Sequence, residues 1–148
     1  MSRSVLCAVD ISNQGKDDAV LKEAKRLADM DSAQLDVVTV IPDFGKSLVA
    51  GFFDKSHHDK AIAEAKHALK DQIIESLGAD ADAKVRHVVA TGSAYEEILR
   101  VAAETDADLI VIGAHKPDFA DYLLGPNAAR VVRHSSCSVH VVRYTSDK

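Results

Sequence analysis

The sequence carries only two cysteines, Cys7 and Cys137, no run of basic residues, and no apolar stretch of membrane-spanning length. Both cysteines lie in or beside apolar strand patterns, where a reduced thiol behaves as a small buried hydrophobe, so neither a disulfide scaffold nor a redox pair is expected. A formal charge of -5 without a concentrated Lys/Arg surface argues against a nucleic-acid partner, because such binding depends on displacing counterions. The longest apolar runs are far too short for a membrane-spanning helix, so no membrane insertion is expected. At the N-terminus a strand-like apolar run reaches Asp10 too soon to serve as a secretory core segment, and the expected compartment is the cytoplasm. His57 and His58 begin an amphipathic helix without partners at metal-ligand spacing, so they are expected to face solvent and no metal centre is assigned. Local motifs assemble no Ser-His-Asp or Cys-His arrangement and no Walker lysine motif, and no residue is assigned as catalytic.

What is present is the composition of an ordinary globular protein, with 148 residues, 47% hydrophobic and 28% charged. One domain spanning residues 1–148 is expected, able to bury roughly 70% of the surface that its unfolded chain exposes.

Strands and helices alternate along the chain. Residues 5–9 form a short apolar run ending at Asp10, and a polar stretch then leads into helical spacing at Val20, Leu21, Ala24, Leu27 and Ala28. A second apolar run, residues 35–41, stops at Pro42, which cannot continue a central ladder. The loop beyond it holds Gly45 and Gly51 together with Phe44, Phe52 and Phe53, for which core packing or loop anchoring is favoured over a partner-binding patch. Over residues 56–77 the positions Ile62, Ala65, Leu69, Ile73 and Leu77 predict the longest helix, with Gly78 where a left-handed cap would fall. Residues 85–90 read as a third strand. Ser93, with Glu96 three residues on, fits a capping box for a helix with Ala94, Ile98, Val101 and Ala102 on one face. Residues 109–112 form a wholly apolar fourth strand ending at Gly113, residues 127–134 a short helix opened by Gly125 and Pro126, and residues 139–142 a fifth strand.

This alternation predicts an α/β fold, a parallel five-stranded sheet with helices on both faces, since near-continuous apolar strands are what burial on both sides requires. In a Rossmann-like order 3-2-1-4-5, the connections diverge between the first and fourth strands and open a crevice at their carboxyl ends. Asp10 and Gly113 both stand there.

The segment from Gly113 to Gly125 is a glycine-bracketed loop between a buried strand and a helix, and such a loop can cradle phosphates. Glycine lets the backbone approach an anion, and the amides of the helix start, at Asn127 and Ala128, supply donors. His115, Lys116 and Arg130 can add side-chain donors. For Asp10, a charge or cap at the start of the following helix is the alternative to a ligand role. His134 and His140 read as structural or interfacial.

Three stretches, Val5-Leu-Cys-Ala-Val-Asp-Ile-Ser12, Asp108-Leu-Ile-Val-Ile-Gly-Ala-His115 and Leu123-Leu-Gly-Pro-Asn-Ala-Ala-Arg-Val-Val-Arg-His134, resemble successive signatures of the universal stress protein family, most closely its enterobacterial F/G-type subgroup. The likeness covers nearly the whole chain. It implies the adenine nucleotide alpha hydrolase-like version of the fold, with ATP as the cofactor and magnesium as an ion compatible with a triphosphate. By the resemblance, Asp10 lies by the ribose or adenine edge with Ala8 and Val9 beside it, and Val40 offers its backbone to adenine. Ile112, Gly113, His115, Lys116, Gly125, Pro126, Asn127 and Ala128 complete the implied nucleotide site. Two departures stand out. Lys116 occupies the place of the family's second loop glycine, and Pro126 replaces a hydroxyl residue, removing that hydroxyl and a backbone N–H that would otherwise face phosphate.

The resemblance implies an ATP-binding regulatory module of the stress response, acting with a still unknown protein partner. A slow ATP hydrolase is the first alternative, supplied with phosphate donors but without a base to orient water. A nucleotide-free dimeric interaction protein, in keeping with Pro126, is the second. An apolar last strand near the chain terminus, and the habit of the family it resembles, lead to the expectation of a homodimer through that strand.

Overall fold

The computed structural model describes residues 3–11, 17–41, 55–114 and 126–143. In chain order the elements are β1 (Ser4–Ala8), α1 (Asp18–Met30), β2 (Gln34–Ile41), α2 (Lys55–Leu77), α3 (Ala79–Asp82), β3 (Arg86–Thr91), α4 (Ala94–Glu104), β4 (Leu109–Ala114), α5 (Pro126–His134) and β5 (Ser138–Arg143). All strand pairs are parallel and the sheet order is β3-β2-β1-β4-β5, as the alternating pattern predicts.

Side-chain alternation along β1 divides the core into two layers. Val5, Cys7 and Val9 face α1 and α2, joining Val20, Leu21, Ala24, Leu69 and Ile73. Leu6 and Ala8 face the other way, toward Ile98 and Val101 of α4 and Ala128 and Val131 of α5. Leu6, Leu21, Leu69, Ile73 and Ile110 are wholly buried, and each contributes about 1.5–3 kcal/mol by leaving water. Among the described residues no helix is long and apolar enough to cross a membrane.

Four local expectations are corrected. Boundaries of β1, β2, β3 and β5 fall one residue from those the sequence suggests, and β4 runs two residues further, to Ala114. Gly78 has the positive φ of 95° that a left-handed cap needs, but with ψ 160° it turns the chain directly into the short α3, which carries no apolar periodicity to announce it. Ser93 stands at the N-cap of α4 without any side-chain cap hydrogen bond, so the capping box is not formed; only its carbonyl accepts, from the Glu97 amide at 2.9 Å. His58 is half-buried, with a shielded, unpartnered Nδ1, rather than facing solvent. The phenylalanines at 44, 52 and 53 lie outside the described residues.

Candidate recess at the carboxyl ends of the central strands

The crevice forms where β1 and β4, adjacent in the sheet, send their chains to opposite faces. It is a recess of about 140 Å³. Its β1 wall is Ala8, Val9 and Asp10, its β4 wall Ile112 and Gly113, and its far side Asn127 and Ala128 at the start of α5. Val40 closes it from β2.

Backbone geometry gives Val40 its significance. The Val38 carbonyl accepts from the Val9 amide at 3.0 Å, so Val38 turns its peptide groups toward β1, whereas the Ile41 carbonyl accepts from the Gly92 amide at 2.9 Å on the β3 side. Because a strand alternates sides with every residue, Val40 presents its N–H and C=O in the same direction as Val38. Strand β1 ends at Ala8, whose partner is Val38. The Val40 peptide groups therefore point toward the side that β1 is leaving, which is where the recess opens.

Asp10 is exposed at the mouth, and its amide donates to the Asp17 carboxylate at 2.7 Å. It does not cap the following helix: α1 begins at Asp18, and Asp17 holds the N-cap position. The charge of Asp17 is felt inside the sheet as well. Burial first, and Asp17 second, push the Cys7 thiol far above its ordinary range, so this cysteine is an inert thiol whose Sγ lies 3.9 Å from the Val20 carbonyl.

Eight of the twelve residues singled out in the sequence thus meet at one place. His115, Lys116 and Gly125 lie outside the described residues, and Pro126 is described only as the first residue of α5. Arg130 is not turned to the recess: its guanidinium lies over the Tyr95 ring, 5.2 Å from the centroid, joining α5 to α4. His134 approaches the same ring at 6.1 Å, and His140 meets Glu23 at 3.1 Å. Sequence reading missed Asp17, Ala94 and Ile98 as parts of the wall. The last two are legible only as the apolar face of a helix, and Asp17 only as one acid in a polar turn.

Residues 1–143 match the universal stress protein family. Universal stress protein G of Shigella flexneri is 26% identical over 144 residues, covering 97% of this chain and all of that protein. The solved structure of the hypothetical protein MJ0577 of Methanocaldococcus jannaschii superposes with a TM-score of 0.77 at 23% identity, covering 99% of each chain. A universal stress protein solved in complex with cAMP superposes with a TM-score of 0.68 at 20% identity, covering 97% of this chain and 98% of that one. At these identities the structural likeness establishes the fold.

Proposed function

The chain belongs to the universal stress protein family, and from that premise we propose that it is an ATP-binding regulatory module of the stress response, whose output is a change of partner rather than turnover. The observation that carries this reading is the convergence of three different recognition elements on one recess. Backbone groups of Val40 offer a donor and an acceptor, a pair that matches the amino group and ring nitrogen on the edge of adenine. The exposed Asp10 carboxylate is an acceptor for ribose hydroxyls. Across from it, Asn127 and Ala128 stand in the first turn of α5, where free amides and the helix dipole favour a phosphate. Basic residues Arg133 and His134 occupy the other end of the same helix, as the dipole prefers.

A family neighbour in complex with cAMP supports an adenine nucleotide as the ligand class. The choice of ATP, with magnesium as companion, and the placing of His115, Lys116, Gly125 and Pro126 at the phosphate end rest on the resemblance of the loop to the family's signatures. Homodimerisation through β5 is part of the same proposal.

The test is to extract the purified protein and identify any bound small molecule by mass spectrometry, followed by titration with ATP. A co-purifying nucleoside triphosphate supports the module. A diphosphate that accumulates with time makes the protein a slow hydrolase instead, and an empty extract with no ATP-induced thermal shift makes it a nucleotide-free interaction protein.

A further inference from the structure

An aspartate immediately before a helix ordinarily turns its carboxylate forward onto the amides of the first turn. Asp17 does otherwise. Its carbonyl accepts from the Leu21 amide at 2.9 Å, as the N-cap position requires, yet its side chain caps none of the α1 amides. The carboxylate reaches back to the Asp10 amide. Asp17 is only 3% exposed, whereas Asp10 is exposed, and both line the recess. A buried carboxylate must be hydrogen-bonded to be tolerated, and here a bond goes to the segment that leaves β1 rather than to the helix that follows.

We propose that Asp17 is a positioning residue of the recess: its buried carboxylate holds the Asp10 amide, fixes the backbone leaving β1, and so aims the Asp10 carboxylate at the ribose hydroxyls of an adenine nucleotide. The ligand in this statement rests on the nucleotide reading; the hold on Asp10 does not. Asp10 on the β1 wall and Asp17 at the start of α1 also repel a phosphate from that end, while the α5 start attracts it. The recess is thereby polarised, hydroxyl-accepting on one side and anion-accepting on the other, and a nucleotide has one favourable direction in it.

The experiment combines two measurements on the wild-type protein, Asp17→Asn and Asp17→Ala. Amide hydrogen exchange at Asp10, followed by NMR without nucleotide, reads the hold directly. Calorimetric titration with ATP and with 2′,3′-dideoxy-ATP reads the aim, as the preference for the hydroxyl-bearing ligand. Wild type is expected to prefer ATP by about tenfold, on the order of one hydrogen bond to a charged acceptor. Asp17→Ala is expected to lose both the Asp10 protection and this preference. Asp17→Asn keeps a carboxamide oxygen as acceptor and is expected to retain both, an outcome that separates positioning from general stability. Should Asp17→Ala fail to fold, Asp17→Ser serves, because its shorter side chain caps forward and cannot reach Asp10.

Unchanged Asp10 exchange in the alanine or serine variant overturns the hold. Lost protection with an intact preference for ATP overturns the aim. If wild type binds neither nucleotide, the nucleotide reading fails, and with it the aim at ribose; the exchange measurement then decides the hold on Asp10 by itself.

Discussion

Arg86 donates two hydrogen bonds, at 2.6 and 2.8 Å, to the carboxylate of Asp36, its register partner on the neighbouring strand, and that carboxylate is wholly buried. Ser4 adds a long hydroxyl contact of 3.4 Å from β1. The three residues tie the amino-terminal ends of β3, β2 and β1 together, opposite the recess.

Removing Arg86 leaves that acid without its main partner. Stripping one member from a fully buried ion pair removes about 3–5 kcal/mol of stability. The Arg86 side chain is 59% exposed, so water tempers the loss. We expect Arg86→Met to lower stability by about 1–3 kcal/mol. Adding Asp36→Val should recover part of this, because the orphaned charge is then gone. Urea unfolding of the single and double variants checks it; a double variant less stable than the single one contradicts the pairing argument.

A second buried acid ties α3 to its neighbours. Asp82, 2% exposed, accepts from Lys70 of α2 at 2.9 Å and lies 2.6 Å from Nε2 of His87 on β3. Burial by itself would raise the Asp82 carboxyl, but hydrogen bonds and charge from Lys70 and His87 outweigh it and hold the group below its ordinary value of 3.8. A group whose folded value is depressed stabilises the fold above its unfolded value, and that contribution fades as the pH falls through the lower folded value. We therefore expect the stability advantage of wild type over Asp82→Asn to be full at about pH 6 and to shrink steadily below about pH 4. Denaturant midpoints across that range measure it. An advantage independent of acid would mean that Asp82 acts through packing alone.

How much of this was legible in the sequence depends on the range of the interaction. The parallel, doubly covered sheet followed from local signals, since residues 109–112 and 35–41 are apolar enough to demand burial on both faces, and its order from the doubly wound architecture that such alternation fits. The position of the recess, with Asp10 and Gly113 at it, followed from that order, whereas Ala8, Val9, Val40, Ile112, Asn127 and Ala128 were joined to them by resemblance to the universal stress protein family. Asp36 could not be understood from its own neighbourhood, because its partner is 50 residues away. The turns after α1 and α4 were equally hidden. Each closes with an amide reaching the carbonyl five residues back, Ala33 to Ala28 at 2.8 Å and Ala107 to Ala102 at 2.9 Å, around a positive φ at Ser32 (52°) and Asp106 (54°). Glycine usually marks such a turn, and neither position has it. Asp17 escaped because a polar turn gives no sign of which acid folds inward.

At the proposed phosphate end, Pro126 is the first residue of α5 and has no amide hydrogen to donate. Pro126→Ser restores an N–H and adds a hydroxyl, and is expected to tighten ATP binding by roughly 1.5–3 kcal/mol at most, one hydrogen bond to a charged group. Gly125→Val should weaken binding more than it weakens folding, by blocking backbone approach, and Lys116→Ala should weaken it less than Gly125→Val does. Calorimetric titration beside thermal unfolding decides these cases. Equal affinities for wild type and Pro126→Ser would mean that Asn127 and Ala128 already satisfy the phosphates.

The remaining expectation concerns the edge of the sheet. β5 is the last strand in the sheet order and pairs with β4 on one side; no other described strand pairs with it. Val139, Val141 and Val142 are only partly buried, and Val132 on the adjacent α5 is 43% exposed. A partly apolar strand at the edge of a sheet is a template for pairing, and a second copy of the same strand across a two-fold axis satisfies both copies at once. A homodimer in the micromolar range is the expected state. Val141→Pro deletes an N–H and places a ring in the strand, so it is expected to shift sedimentation to the monomer. Because this substitution also strains the β4–β5 pair, Val141→Lys serves as a second variant that weakens association by charge while keeping the backbone donor. A wild-type monomer at micromolar concentration overturns the dimer, and a dimer that survives both substitutions places the interface away from β5.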